Sequence, residues 1–185
     1  ADSFNPRKGN YLFGAKLSKK ELEPVFWQIC AVILPFVALF SYLEGREMFL
    51  LLLFMIVVNI LYNFKPFRLK ERPPFEIIIQ VGYVFTTLFS ILLNNLEMLP
   101  WQTLLYLSLF AFQAHIAGEI MDIEPDRLVG KKTTAVLIGR KKAKLLMLFL
   151  LLFEAYILKF WFDDWVLSGF LAVFSLWLIL DIFVF

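Results

Sequence analysis

An all-α, polytopic membrane helix bundle is the fold class this sequence predicts, and three observations predict it. Hydrophobic residues fill 61% of the 185 positions, a larger share than an ordinary soluble domain carries. They are gathered into blocks of about 20 residues, the length a helix needs to cross the hydrocarbon of a bilayer. Lys and Arg crowd into alternate connections between those blocks, as topogenic charge does. The blocks lack the period-2 alternation of an outer-membrane barrel strand. The 22 Phe and 5 Trp suit a lipid-facing surface with aromatic belts at the interfaces.

Taken in order, residues 1–24 are polar and turn-rich (Asn5-Pro6, Lys8-Gly9-Asn10, Gly14) and read as a loop. Ser18 and Glu21 have capping-box spacing for the helix that follows, with Pro24 in its early turns. Six spans are then expected: Val25–Leu43, Met48–Phe64, Phe75–Leu93, Leu99–Met121, Lys144–Phe162 and Trp165–Phe185. Pro35 is expected to kink the first of them. No internal repeat is evident. The chain opens at Ala1 with neither a Met nor a signal-peptide core and closes on Phe185 inside an apolar run. It therefore reads as part of a longer protein, with residues 1–185 forming one membrane-embedded domain. Cys30 is the single cysteine, which excludes an intrachain disulfide and a cysteine metal cluster. The basic residues sit in short loops between spans, which argues against a nucleic-acid partner.

The charge count sets an expected orientation. The N-terminal segment has five Lys or Arg, the second-to-third loop four and the fourth-to-fifth loop seven, whereas the opposite side has Arg46 alone. By the positive-inside rule the three basic segments lie together on the cytoplasmic face, in a multi-pass protein expected in a prokaryotic cytoplasmic membrane.

Chemistry concentrates in Ala114–Lys144. Glu119, Asp122, Glu124 and Asp126 are its acids, and basic residues follow closely, among them Lys131 and Lys132. Charge at the end of a span is costly and points to function. Glu119, Asp122 and Asp126, at spacings of three and four, share one face of a continuous helix. Pro125 disfavours helix at the residue before it, so the helix is expected to end near Ile123 or Glu124, with Asp126 on the first turn beyond. In either arrangement two carboxylates converge on a hard cation such as Mg2+, which binds through one or two carboxylates plus substrate phosphates. The downstream Lys and Arg would meet the phosphate oxygens. The plain alternative is a span end with mixed interfacial charge.

Other features each carry a functional and a plain reading. Thr133–Gly139 reads as a short capped helix stopped by glycine, either a lid or a simple connector. The loop Leu61–Pro74, with Lys65, Arg68, Lys70 and Arg72 among prolines, is a stiff cationic loop for an anionic head group or topogenic charge alone. His115, four before Glu119, is expected to be a hydrogen-bonded group inside the bundle. Glu154 lies mid-span, where a charge costs about 2.5–3.5 kcal/mol, and must be neutral, paired or turned to a cavity. Asn59, Asn63 and Gln80 are expected to face the interior.

Together, GEIMDIEPDRLVGKKTTAVLIGRKKA and YNFKPFRLKERP resemble the second aspartate-rich motif and the basic loop of the UbiA-type intramembrane prenyltransferases. Asn63 stands where that family's loop usually has Ser, and Lys65 precedes a single Pro66. The resemblance implies a bundle of eight or nine spans, of which about six are present here. It also implies transfer of a prenyl group from an isoprenoid diphosphate to a lipophilic acceptor. Mg2+ would be held by Asp122, Asp126 and, from the tail of a first acidic motif, Asp2. Lys131 and Lys132 would act catalytically with the two aspartates. Tyr62, Asn63, Lys65, Arg68, Lys70 and Glu119 would contact substrate. The acceptor stays open, with NPRKG and DIEPD leaning toward the lycopene-elongase-like branch. So does the oligomeric state.

Two rivals remain. A CDP-alcohol phosphotransferase would need an Asp-Gly pair, which the sequence lacks. A transporter or non-enzymatic membrane protein would use the loop charges only for topology, but neither an inverted repeat nor interrupted mid-membrane helices are evident.

Overall fold

A computed structural model describes residues 19–184, with side chains from residue 24 onward. Residues 1–18, with Asp2 and Ser18, lie outside the described residues, whereas Lys19 and Lys20 of the basic N-terminal segment open the first helix. Within them the secondary structure is helical, with no strand. The eight α-helices are α1 (Lys19–Glu44), α2 (Arg46–Asn63), α3 (Phe75–Ile78), α4 (Val84–Leu93), α5 (Trp101–Leu128), α6 (Thr134–Ile138), α7 (Arg140–Trp161) and α8 (Trp165–Phe183).

Five segments are long and apolar enough to cross a membrane: Pro24–Glu44, Arg46–Asn63, Phe75–Leu93, Trp101–Leu128 and Trp165–Phe183. The remaining expected span coincides with α7, a helix of 22 residues that also carries Lys144, Glu154 and Lys159. Helix α1 runs through both Pro24 and Pro35.

The third span is not one regular α-helix. It is α3, then a 3-10 segment at Ile79–Tyr83, then α4. Tighter turns of this kind are usually short and often mark a functional or strained stretch. Here Gln80, buried, donates to the Glu76 carbonyl at 2.7 Å, and Gly82 brings the backbone up to Val58 of α2.

Helix α5 corrects a second expectation. It continues through Pro125 to Leu128 and does not stop near Ile123. It ends in a Schellman turn: Gly130 N donates to Arg127 O at 3.1 Å and Lys131 N to Asp126 O at 2.9 Å, with Gly130 at φ +68°. Glycine meets no steric penalty at positive φ, which makes it the usual stop there.

Neighbours in sequence pack as neighbours in space: α1 on α2, α2 on α4, α4 and the 3-10 segment on α5, α5 on α7, and α7 on α8. The hydrophobic core sits toward the C-terminal half. Leu109, Ile116 and Ile123 of α5 meet Met147, Leu150, Leu151 and Ile157 of α7 and Leu178 and Ile182 of α8. Those α5 residues recur every seven positions, one stripe of a helix. Apolar side chains of α1 and α2 are largely exposed, as a lipid-facing surface requires.

One polar expectation fails. Asn63 is exposed, and its amide is satisfied within its own helix by the Asn59 carbonyl at 3.2 Å. Asn59 donates to the Met55 carbonyl at 3.0 Å and borders a cavity between α2 and α4. A side chain bonded to the carbonyl four residues back needs no partner across the bundle. Gln80 does face the interior. Glu154 is buried, and its Oε1 has no hydrogen-bond partner.

Candidate active site

The buried stripe of α5 changes character along its length. Leu109 and Ile116 are followed by Glu119, Ile123 and Asp126, all buried. The last two turns thus present carboxylates where the earlier turns present aliphatic groups. Asp122 lies on the same acidic side and is partly exposed. All three acids line a cavity of about 220 Å³, together with Tyr62 of α2, Lys70 of the 65–74 loop, His115, and Lys131 and Thr133 beyond α5.

The Schellman turn explains how Lys131 reaches this cavity. By bonding its amide back to Asp126 O, it folds the chain over the helix end, and Lys131 Nζ then meets Asp126 Oδ2 at 3.0 Å. His115 Nε2 lies 3.2 Å from Glu119 Oε1, one turn back along the same face. The histidine thus sits beside a carboxylate and lines the cavity, but Glu119 Oε1 makes no hydrogen bond.

Beyond the turn, Thr133 caps α6, accepting from Val136 N at 3.4 Å, and Gly139 ends it at φ +82°. The other two leading amides of α6 are taken by buried acids from elsewhere. Thr134 N donates to Glu76 Oε1 at 2.6 Å, and Ala135 N to Glu119 Oε2 at 3.0 Å. The Thr134 hydroxyl donates to the same Glu76 oxygen. Negative charge at a helix start is favourable, and these bonds satisfy amides that no intrahelical carbonyl can reach.

The basic loop is braced internally. Arg68, in the left-handed conformation at φ 43°, pairs with Glu71 at 2.7 Å, and Arg72 Nη2 donates to Pro66 O at 2.6 Å. Of its four cations only Lys70 lines the cavity.

The sequence-expected residues thus divide. Tyr62, Lys70, Glu119, Asp122, Asp126 and Lys131 are brought together. Asn63, Lys65 and Lys132 are exposed and Arg68 is partly buried, and none of the four is among the cavity-lining residues. Sequence reasoning missed Glu76, and it read Thr133 and Thr134 only as the start of a short capped helix. Glu76 had a visible signal: it is the lone charged residue in the Phe75–Leu93 span, where charge carries a functional presumption.

Two further cavities adjoin the polar one. One, of about 450 Å³, lies between α4 and α5, shares Ala114 and His115 with it, and includes Val84, Leu107, Phe110 and Ala111. The other, of about 210 Å³, lies between α2 and the 3-10 segment and α4, and shares Tyr62. A charged chamber therefore borders larger, mainly apolar space.

The donor set fits a hard divalent cation. Asp122 and Asp126 supply oxygen donors to one chamber, and Mg2+ takes one or two carboxylates with phosphate and water completing its shell. Among the described residues no group of three or more His, Cys, Asp or Glu forms a self-sufficient metal cage.

The chain is thus a helical bundle with membrane-length spans that gathers acids and lysines beside mainly apolar cavities. The chain belongs to the UbiA prenyltransferase family, whose family model matches residues 16–185. It is thus a multi-pass membrane protein of a transferase family. Searches of curated proteins and of solved structures returned no match.

Proposed function

We propose that this protein transfers a prenyl group from an isoprenoid diphosphate to a lipophilic acceptor. The observation that carries this reading is the convergence of Asp122, Asp126, Lys70 and Lys131, from three separate segments, on one chamber that borders apolar space. A prenyl diphosphate has that same division between a polyanionic head and a hydrocarbon tail.

In this reading Asp122 and Asp126, with Asp2, would hold Mg2+, which when bound would supply positive charge against the diphosphate. Lys70 and Lys131 donate to the diphosphate oxygens. As the bond from the allylic carbon to oxygen breaks, negative charge grows on the leaving group, and preformed cationic donors stabilise that change more than the ground state. The electron pair leaves with the diphosphate, a nucleophilic atom of the acceptor bonds to the allylic carbocation, and the acceptor then gives up a proton to the released diphosphate. Water would quench the cation. Glu119 and Glu76 hold α6 beside the chamber, and exclusion of solvent there favours transfer over hydrolysis. The cavity between α4 and α5 accommodates the prenyl chain, and the site-bearing loops face the cytoplasm.

The test is diphosphate release from a prenyl diphosphate by the purified protein with and without Mg2+. Release is expected to require Mg2+, and both Asp122→Ala and Asp126→Ala are expected to abolish it. Full activity in both variants would overturn the assignment.

A further inference from the structure

Glu76 does not line the polar chamber, yet it is fully buried and joins two segments that do. It lies six residues after Lys70 on the basic loop and bonds Thr134, three residues after Lys131. We propose that Glu76 is a positioning residue for diphosphate binding: its carboxylate locks the Lys70 loop to the Lys131–Thr134 segment, and so sets the two lysines at the separation a diphosphate needs. This inference rests on the reading of the chamber as a diphosphate site.

Three observations support it. First, the two lysines come from loops 61 positions apart in sequence, and no regular element spans both. Side-chain links between those loops therefore decide how the lysines face each other. Second, the link is doubled. Glu76 Oε1 accepts from both the amide and the hydroxyl of Thr134, while Glu119 takes the next amide, Ala135 N, at 3.0 Å. Glu119 lies on the same helix face as Asp122 and Asp126, so the two acids fasten both basic segments to the metal-binding face. Third, Glu76 is fully buried, so water does not compete for its bonds to Thr134, and a hydrogen bond in such surroundings is stronger than one in water.

The experiment measures equilibrium binding of geranylgeranyl diphosphate with Mg2+ to the detergent-purified protein, alongside its thermal unfolding. Glu76→Ala is expected to weaken binding roughly 10- to 100-fold, the scale of losing one charge-assisted hydrogen bond to the diphosphate. Glu76→Gln keeps an acceptor oxygen for Thr134 and is expected to bind close to wild type. Thr134→Val removes the hydroxyl donor and is expected to give an intermediate loss, and adding it to Glu76→Ala should cost nothing more, as for two residues acting through one link.

A residue that only supported folding would lower the fraction of binding-competent protein and leave the Kd of that fraction unchanged. Wild-type affinity in folded Glu76→Ala, or equal loss in the Gln and Ala variants, overturns the positioning role. Should Glu76→Ala not fold, Thr134→Val decides, and unchanged affinity there also overturns it. Wild-type protein that binds no donor at all would instead refute the diphosphate reading, and this inference with it.

Discussion

Lys131 and Lys132 are adjacent in sequence and opposite in circumstance. Lys131 is folded back onto Asp126, one of the most buried acids in the chain, and lines the chamber. Lys132 is exposed and lies outside the cavity-lining set. Charge-assisted hydrogen bonds contribute about 1.5–3 kcal/mol, so Lys131→Met is expected to weaken binding of a prenyl diphosphate roughly 10- to 100-fold. Lys132→Met should weaken it far less, since an exposed, solvated charge contributes little. Titration of the two variants with the same donor checks this, and equal losses would remove Lys131 from its special place. The loss in Lys131→Met should come with a lower unfolding temperature, because Asp126 is left buried without its cation. Combining Lys131→Met with Asp126→Asn is expected to restore stability but not binding.

At the scale of elements, the site depends on how helices end. Gly130 and Gly139 flank the segment that carries Lys131 and α6, and both have positive φ. Neither would meet a neighbour if given a Cβ, so any cost of substitution is conformational. Gly130 sits at the left-handed position of a Schellman turn, which Asn also adopts. Gly139, at φ 82° and ψ 161°, occupies a region that is essentially reserved for glycine. Gly130→Asn is therefore expected to be nearly neutral for stability, whereas Gly139→Asn should cost about 1–3 kcal/mol. Thermal unfolding of both variants in detergent checks the ordering, and a more damaging Gly130→Asn would contradict it. The matching turn at the far end of α4 already uses Asn. Leu96 N bonds to Ile91 O at 3.0 Å, and Asn95 has φ 50°.

For the whole molecule, the arrangement places the Lys70 loop and the Lys131 segment at one end and the Asn95 turn at the other end of the intervening helices. With Cys30 replaced, a cysteine at Lys132 is expected to react with a membrane-impermeant reagent from the cytoplasmic side, and one at Asn95 only from the opposite side. The reverse pattern would overturn the orientation while leaving the site intact. The row of neighbours from α1 to α8 also accounts for the unequal burial. Helices α5, α7 and α8 make a core among themselves, while α1 packs chiefly on α2 and presents its apolar side chains outward.

Much of this was legible in the residues. The spans, the glycine-stopped helix at Thr133–Gly139, and the acidic face of Glu119 and Asp122 all follow from composition, helical period and local turn chemistry. Those properties act between residues a few positions apart, so one strand of sequence contains them. The passage of α5 through Pro125, the 3-10 segment after Ile78 and the selection of Lys70 from four loop cations were decided by packing between distant segments. So was the link from Glu76 to Thr134, across 58 positions. A hydrogen bond of that span has no periodic trace in the chain. It exists only because α3, α5 and α6 meet, and their burial makes every unpaired amide and carboxylate there costly enough to dictate who bonds to whom.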